Sequence, residues 1–495
     1  MPVTRRTLLA TAGAASLTTL LASCAGFSGQ PSGGSSKGSG TLTFTTWASD
    51  TEKAAYTKLI TSFEASHKGV TVKPNFVPYA QMFTNIDAQL SAGNAPDVFR
   101  AGYGQIGGYA KQGQLLDLSS SLGGEKSRFI PAFWEAVSYD GKPYGVPQQT
   151  DTSAIVYNRS LMAEAGYTSF PDSLSSAWSF EEFAAVLAKL RAKLPASKYP
   201  FADNWQLAGS PRWLTWLFAA GGRLLDEDLT KAAVPSAAGT KALDYTKAFF
   251  EKKWVPQNSS TKSNTYADTT WLAGSTAMVS AGNFLLPEFT GAKFDWGVTY
   301  LPKDQRGADD LGGNALVATK GGNTELATEF LKYMVSDEAM STFCGEALEL
   351  PTLTSLVGKD LKWDAPKGVM PVFVDQATTI TAADVAQLTV PASAGITTVL
   401  TDQLEAAFRQ GQSTETTLQN LVGKDLGWDA PDGVMPVFVD QATTITASDV
   451  AQLTVPASAA ITTVLTDQLE AAFRQGQSTA DTLKNIAAGV DKAVA

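Results

Sequence analysis

Thr41-Leu42-Thr43-Phe44-Thr45-Thr46-Trp47 alternates polar and apolar side chains, the period of a half-buried strand. Residues 51–66 follow with Ala55, Leu59, Ile60 and Phe63 on one helical face. The pattern then repeats: Val70-Thr71-Val72-Lys73-Pro74-Asn75-Phe76 predicts a second strand, 82–91 a second helix and Asp97-Val98-Phe99 a third, short strand. A βαβαβ opening of this kind predicts an α/β fold with a largely parallel sheet flanked by helices. Such sheets carry their ligand loops at the carboxyl ends of the strands, here 47–50, 77–81 and 100–105.

Further along, Asp140-Gly141-Lys142-Pro143-Tyr144 is a turn by its Gly and Pro, and Ala154-Ile155-Val156-Tyr157-Asn158 reads as a strand. Between them Gln148-Gln149-Thr150-Asp151-Thr152 is a candidate hinge. Ser179 and Glu182 form a capping box ahead of the stripe Phe183, Val186, Leu187, Leu190. Helices are also expected over 211–220, 236–252, 324–336 and 338–345.

The composition narrows the function classes. The chain has 495 residues, 44% hydrophobic and 17% charged, enough apolar material for a folded bulk of two to four compact units. A formal charge of −10 gives no cationic footprint for nucleic acid. One His and two Cys leave no histidine cage, disulfide framework or cysteine zinc site, so no metal and no cofactor are expected, with only an all-oxygen calcium site left open. His67 falls at a predicted helix end, where it reads as an exposed cap, and Cys344 reads as a small buried hydrophobe.

The N-terminus reads as an address. Arg5 and Arg6 precede an uncharged, apolar run, the layout of a signal peptide over 1–23, and Thr4-Arg5-Arg6-Thr7-Leu8-Leu9 resembles a twin-arginine export signal. Leu21-Ala22-Ser23-Cys24 resembles the lipobox of bacterial lipoproteins, with Cys24 the lipidated residue and 24–40 a Gly/Ser-rich tether. The expected location is the outer face of a bacterial cell membrane, on a lipid anchor.

Near the other end the chain repeats itself: 356–420 returns as 421–485, differing only at Lys362/Gly427, Lys367/Asp432, Ala383/Ser448, Gly395/Ala460, Glu415/Ala480, Thr416/Asp481 and Gln419/Lys484. Two near-identical copies are a tandem duplication, not a solenoid, which needs shorter and more numerous units. The expectation is that one copy completes the fold and the other is an appendage.

Ala95-Pro96-Asp97-Val98, Gly107-Gly108-Tyr109-Ala110-Lys111-Gln112-Gly113, Asp140 to Pro147 leading to Val156-Tyr157-Asn158-Arg159, Gly274-Ser275-Thr276-Ala277-Met278, Gly282-Asn283-Phe284 and Leu350-Pro351-Thr352 occur in an order that resembles the extracellular solute-binding proteins of ABC importers, in the carbohydrate group that includes maltose-binding protein. The resemblance implies a two-lobed, periplasmic-binding-protein-like fold with three crossing segments, near 149–153, 299–301 and 348–352. It implies lobe one over 41–150 with 302–347 and lobe two over 151–301 with 348–495, both repeats included. It also implies a carbohydrate ligand bound without catalysis and passed to permease subunits in the membrane.

A sugar site needs aromatic faces for the C–H side of the rings and planar polar groups for the hydroxyls. Trp47, Asp50, Gln81, Tyr103 and Gln105 lie in the predicted ligand loops of lobe one, with Ala101 where maltose-binding protein has a tryptophan, and Asp151 lies in the hinge. In lobe two Trp205, Trp213 and Trp216 cluster, although the spacing of Trp213, Trp216 and Leu217 also fits a helix core face. Phe284 stands where the family commonly places a stacking tryptophan, with Asn283 beside it, and Gly313 and Asn314 sit in a turn able to approach a ligand.

Other ligands fit the same fold. An organic phosphate calls for cleft cations, and only Arg100 and Arg212 lie in suitable segments; a polyamine calls for acids such as Asp50 and Asp151, and a peptide is a further alternative. A glycoside hydrolase would need two carboxylates flanking a scissile bond, and no motif ties Asp50 to Asp151. An assembly role for the extra repeat is the remaining reading.

Overall fold

The computed structural model describes residues 40–423 except Ala208, Asn258 and Leu311, together with Lys484, Asn485 and Ala488. The signal-peptide, Cys24 and tether expectations and nearly all of the second repeat lie outside these residues.

Lobe one is built on a five-stranded sheet. Strands β1 (Gly40–Thr46), β2 (Val70–Phe76) and β3 (Val98–Gly102) are parallel, and β4 (Gly145–Gln149) and β8 (Asn314–Ala318) complete the order β2-β1-β3-β8-β4, with β8 antiparallel to both neighbours. Helix α1 (Asp50–Ser66) begins at the capping box Ser49/Glu52 and turns Ala55, Tyr56, Leu59, Ile60 and Phe63 inward. It shares one face of the sheet with α5 (Thr324–Met334) and α6 (Asp337–Ala347). Helices α2 (Tyr79–Ser91), α3 (Tyr103–Lys111) and α4 (Pro131–Ala136) cover the other face. Because β1 lies between β2 and β3, connections leave it in opposite directions, and the carboxyl ends of β1 and β3 frame a crevice.

Lobe two is built on a smaller, antiparallel sheet. Its order is β6 (Met278–Gly282), β5 (Ser153–Asn158), β7 (Trp296–Thr299), with β5 in the middle. The helices Phe180–Lys193 and Ala237–Glu251 belong to this lobe, and α7 (Val369–Ala377) packs Val369, Met370 and Phe373 onto its core.

Three segments join the lobes. The first runs from Gln149 to Ser153, and the third pairs with it as Thr150 N–H donates to Leu350 O at 2.9 Å and Leu350 N–H to Thr150 O at 3.0 Å. The second differs from the expected 299–301. The chain stays on lobe two through Lys303, which exchanges backbone hydrogen bonds with Trp178 and Phe180, and Gln305, which donates to Ala219 O at 2.8 Å, so it crosses over 308–313 instead. Placing everything after 348 in lobe two also needs correction: Leu353, Leu356 and Leu361 belong to the core of lobe one, and so does Val385.

The first repeat copy completes the described fold through α7, α8 (Ala382–Leu388), α9 (Ser393–Arg409) and α10 (Thr414–Gly423). All seven positions at which the copies differ are exposed in this copy, so each of its buried residues has an identical counterpart 65 residues later. Two differences are intrinsically favourable: Lys362 has φ +58°, where the second copy has Gly, and Gly395 lies in a helix with open space about it, where the second copy has Ala.

Chains lacking 356–420 or lacking 421–485 are therefore both expected to fold. Their thermal midpoints should agree within roughly 5 °C, since exposed substitutions each change stability by about 0.5 kcal/mol or less. Loss of cooperative unfolding in the 356–420 deletion alone would show that the second copy cannot serve.

Candidate functional site

The crevice at the ends of β1 and β3 holds Trp47 and Arg100. Arg100 is buried at 1% exposure, its Nη1 lies 2.7 Å from Glu52 Oε1 and 3.2 Å from Trp47 O, and its guanidinium lies 4.6 Å from the Trp47 ring centroid. Burial opposes its charge, but Glu52, Tyr56 and Glu349 more than offset that, so its pKa is raised and it stays cationic. Trp47 meets Tyr79 and Phe83 edge to face at 5.2 and 5.7 Å, making an aromatic wall on lobe one.

Lobe two presents Arg212 with Phe284 and Tyr266, whose ring centroids lie 5.6 and 5.9 Å from the guanidinium, and Asp310 of the second crossing segment lies 3.7 Å from Arg212. The field of Arg212 reaches Tyr79 across the cleft and Asp151 in the first crossing segment. A guanidinium and aromatic rings thus come from each lobe, Arg100 paired with Glu52 of lobe one and Arg212 near Asp310 of the second crossing segment.

The crossing segments supply further acids. Burial pushes Asp151 up to about 7, with Arg212 opposing and Asp310 adding to the rise. Burial also raises Asp309, next to Asp310, and Glu349, which feels Asp151 and Glu52. Asn283, fully buried, accepts from Thr152 N–H at 2.8 Å and donates to Leu348 O and Glu349 Oε2 at 2.8 Å each, tying the first and third segments together. Gln149 Oε1 accepts from Asn314 N–H at 2.6 Å, and the side-chain oxygen of Asn314, with its amide oriented to satisfy both ends, accepts from Arg100 Nη2 at 3.1 Å.

Of the residues expected at the site, Trp47, Asp151, Phe284 and Asn314 stand in this cluster. The others do not. Trp205 and Trp213 are fully buried core: Trp205 stacks on Phe408 at 4.9 Å and Phe250 at 6.0 Å, and Trp213 Nε1 donates to Thr246 Oγ1 at 3.0 Å. Trp216 is also core, donating to Asp203 Oδ2 at 2.8 Å. Tyr103 is buried, stacks on Phe133 and donates to Gln149 O at 2.8 Å, so it supports the hinge. Asn283 is likewise a hinge bracket.

Gly313 presses against the first crossing segment: at φ +110° a Cβ there would lie 2.5 Å from Gln149 O and from Thr150 Cα. Asp50 and Gln81 are exposed on α1 and α2, Asp50 beside Lys53 and Thr57 on the outer face. Gln105 is half-buried, its Oε1 folded back toward Gly102 without a hydrogen-bond partner.

Tyr79, Tyr266, Glu52, Glu349 and the Asp309-Asp310 pair are the residues sequence reasoning missed. Glu52 was legible as the fourth residue of Ser49-Asp50-Thr51-Glu52, a capping box directly after the strand, and Arg100 as a charge inside an apolar strand.

Asp151 has a folded pKa near 7 against an ordinary value of 3.8, and burial raises Asp203 similarly to about 7. Folding therefore favours the protonated forms, a stabilisation fully present below about pH 4 and lost as the pH rises through 7. Thermal unfolding should show higher stability at pH 5 than at pH 8, and Asp203→Asn should flatten that slope; equal slopes in both proteins would contradict the assignment.

Residues 47–341 match the model of the bacterial extracellular solute-binding protein family. The maltodextrin-binding protein MdxE of Bacillus subtilis is 29% identical over 318 residues, 62% of this chain and 72% of that one. The diacetylchitobiose-binding protein DasA of Streptomyces coelicolor is 27% identical over 351 residues, 68% and 79% of the two chains. Among solved structures, the substrate-binding protein Lmo0181 of Listeria monocytogenes in complex with cycloalternan superposes with a TM-score of 0.68 at 21% identity, covering 77% of this chain and 96% of that one. A Thermotoga lettingae solute-binding protein bound with α-D-tagatose gives 0.66 at 22%, covering 79% and 100%. With the family model spanning more than half its length and the two-lobed fold shared, this chain belongs to the bacterial extracellular solute-binding proteins.

Proposed function

We propose that the protein binds a neutral carbohydrate between its lobes and hands it, unaltered, to the permease of an ABC importer. The observation that carries this reading is the pair of aromatic groups facing the cleft, Trp47-Tyr79-Phe83 from lobe one and Tyr266-Phe284 from lobe two, around guanidiniums that already hold carboxylates. Flat rings suit the C–H faces of a pyranose, and the carboxylates and amides between them suit its hydroxyls. A ligand touching both walls stabilises the closed state, which is the form offered to the transporter. The relatives named for maltodextrin and diacetylchitobiose, and the fold neighbours holding cycloalternan and tagatose, support the same ligand class.

Charge balance favours a neutral ligand over the alternatives. Arg100 pairs with Glu52 and Arg212 has Asp310 3.7 Å away, so each guanidinium's charge is countered by a carboxylate, which disfavours a phosphate. Burial holds Asp151, Asp309 and Glu349 toward their neutral forms, a poor setting for a polyamine. Cys24 would anchor the receptor by its lipid at the outer membrane surface, and Cys24→Ala should release it into the medium; retention on the cell would contradict the anchor.

Titration with neutral mono- and oligosaccharides, followed by tryptophan fluorescence, tests the ligand. Trp47→Ala and Phe284→Ala should each weaken binding by about 2 kcal/mol, roughly 30-fold, with little change in thermal midpoint. Trp205→Ala should do the reverse, costing about 3–5 kcal/mol of stability as a core cavity while sparing affinity. Saturable binding of phosphate esters or polyamines in place of sugars would overturn the ligand class.

A further inference from the structure

The fold has one place for a segment that the chain carries twice. Copy 356–420 is fastened to the rest of the molecule by polar side chains. Trp363 Nε1 donates to Glu349 O at 3.0 Å, Asp384 Oδ1 accepts from Arg306 Nη2 at 2.6 Å, Gln387 Oε1 accepts from Leu224 N–H at 2.7 Å, and Glu405 Oε2 accepts from Thr261 N–H at 3.0 Å. The same residue types recur 65 positions later as Trp428, Asp449, Gln452 and Glu470. The apolar material recurs as well, since no buried position differs between the copies.

One residue cannot serve both copies at once. Leu421 is the first residue of the second copy, and in the described fold it lies in the last turn of α10, 3% exposed. Its counterpart Leu356, 5% exposed, belongs to the lobe-one core. With the second copy seated, Leu421 takes the place of Leu356, and Ile486 follows Asn485 where Leu421 now follows Asn420. The first copy then leaves as a loop between Ser355 and Leu421. The surface has room for that exit: Thr354, Ser355, Gly358 and Lys359 are exposed, and Val357 is 54% exposed.

Two opposing effects set the balance. Gly427 at the left-handed position of Lys362 and Ala460 at the helical position of Gly395 favour the second copy. Closing a 65-residue loop favours the first, by an entropy that grows only with the logarithm of loop length. Leaving the place empty is worse than either arrangement, because it exposes the faces that α7 and α9 bury.

We propose that the two copies compete for this one place, so that either can complete the fold of the intact chain and the second takes over when the first is damaged. Trp47, Arg100, Arg212 and Phe284 lie outside the repeat, so both forms keep the same cleft and the exchange does not depend on which ligand the cleft takes. The forms differ at the surface, where exposed Lys362 and Lys367 give way to Gly427 and Asp432.

Two lesions and two reporters test the exchange in the full chain. Leu404→Asp puts a carboxylate at a fully buried position of the first copy, and Leu469→Asp is the same change in the second. Ala407→Cys and Ala472→Cys, in separate proteins, report by alkylation and peptide mass mapping which copy is packed, Ala407 being 3% exposed. With Leu469→Asp, the thiol at 407 should be protected and that at 472 reactive. With Leu404→Asp the pattern should invert, while unfolding stays cooperative with a thermal midpoint no more than roughly 10 °C below the parent's. The double variant should lose cooperative unfolding. A thiol at 472 that stays reactive in Leu404→Asp, or loss of cooperative unfolding there as complete as in the double variant, would overturn the proposal.

Discussion

The side-chain amide of Asn283 is the constraint on which the two-lobed arrangement depends. Buried in a low-dielectric setting, it satisfies Thr152 N–H, Leu348 O and Glu349 in one position, binding the first crossing segment to the third. The second segment joins through Asn314 and Gln149, and through Ser153 N–H, which donates to Asp309 Oδ2 at 3.0 Å. Leu348 itself adopts a left-handed conformation, φ +59°, as the chain leaves α6 for the hinge. Removing one member of such a network strands the others, so the crossing segments are held together as one unit.

The chemistry of the cleft follows from that unit. Crossing segments made of backbone and buried amides bring Asp151, Asp309, Asp310 and Glu349 together, and the repulsion among them is tolerated because burial favours the neutral forms of Asp151, Asp309 and Glu349 and two guanidiniums approach from opposite lobes. Arg100 serves twice, pairing with Glu52 and packing over Trp47, so the position of the lobe-one aromatic wall is set by the same charge that balances the site.

Much of the fold was legible. The alternating strand 41–47 and the helical stripe after it set the βαβαβ half, and local turn and capping chemistry marked 140–144 and 179–182 where the structure has a tight turn and a capping box. The second crossing was displaced because Lys303 and Gln305 extend lobe two by backbone bonds that carry no sequence signature. The tryptophans misled for a related reason: an indole has the same composition in a cleft as in a core, and only the partners of Trp205 and Trp213, which come from Phe250, Phe408 and Thr246, tell the two apart. Tyr79 and Tyr266 were missed because what relates them, the nearby Arg212, joins residues far apart in sequence and, for Tyr79, on the other lobe.

Hydrogen–deuterium exchange with and without a neutral oligosaccharide tests most directly the claim that one ligand bridges both lobes at the hinge. Concerted protection is expected for peptides carrying Trp47, Tyr79, the 149–152 and 308–313 segments, and Tyr266 to Phe284, with one concentration dependence for all. Protection confined to one lobe, or centred on Trp205 and Trp213, would contradict it.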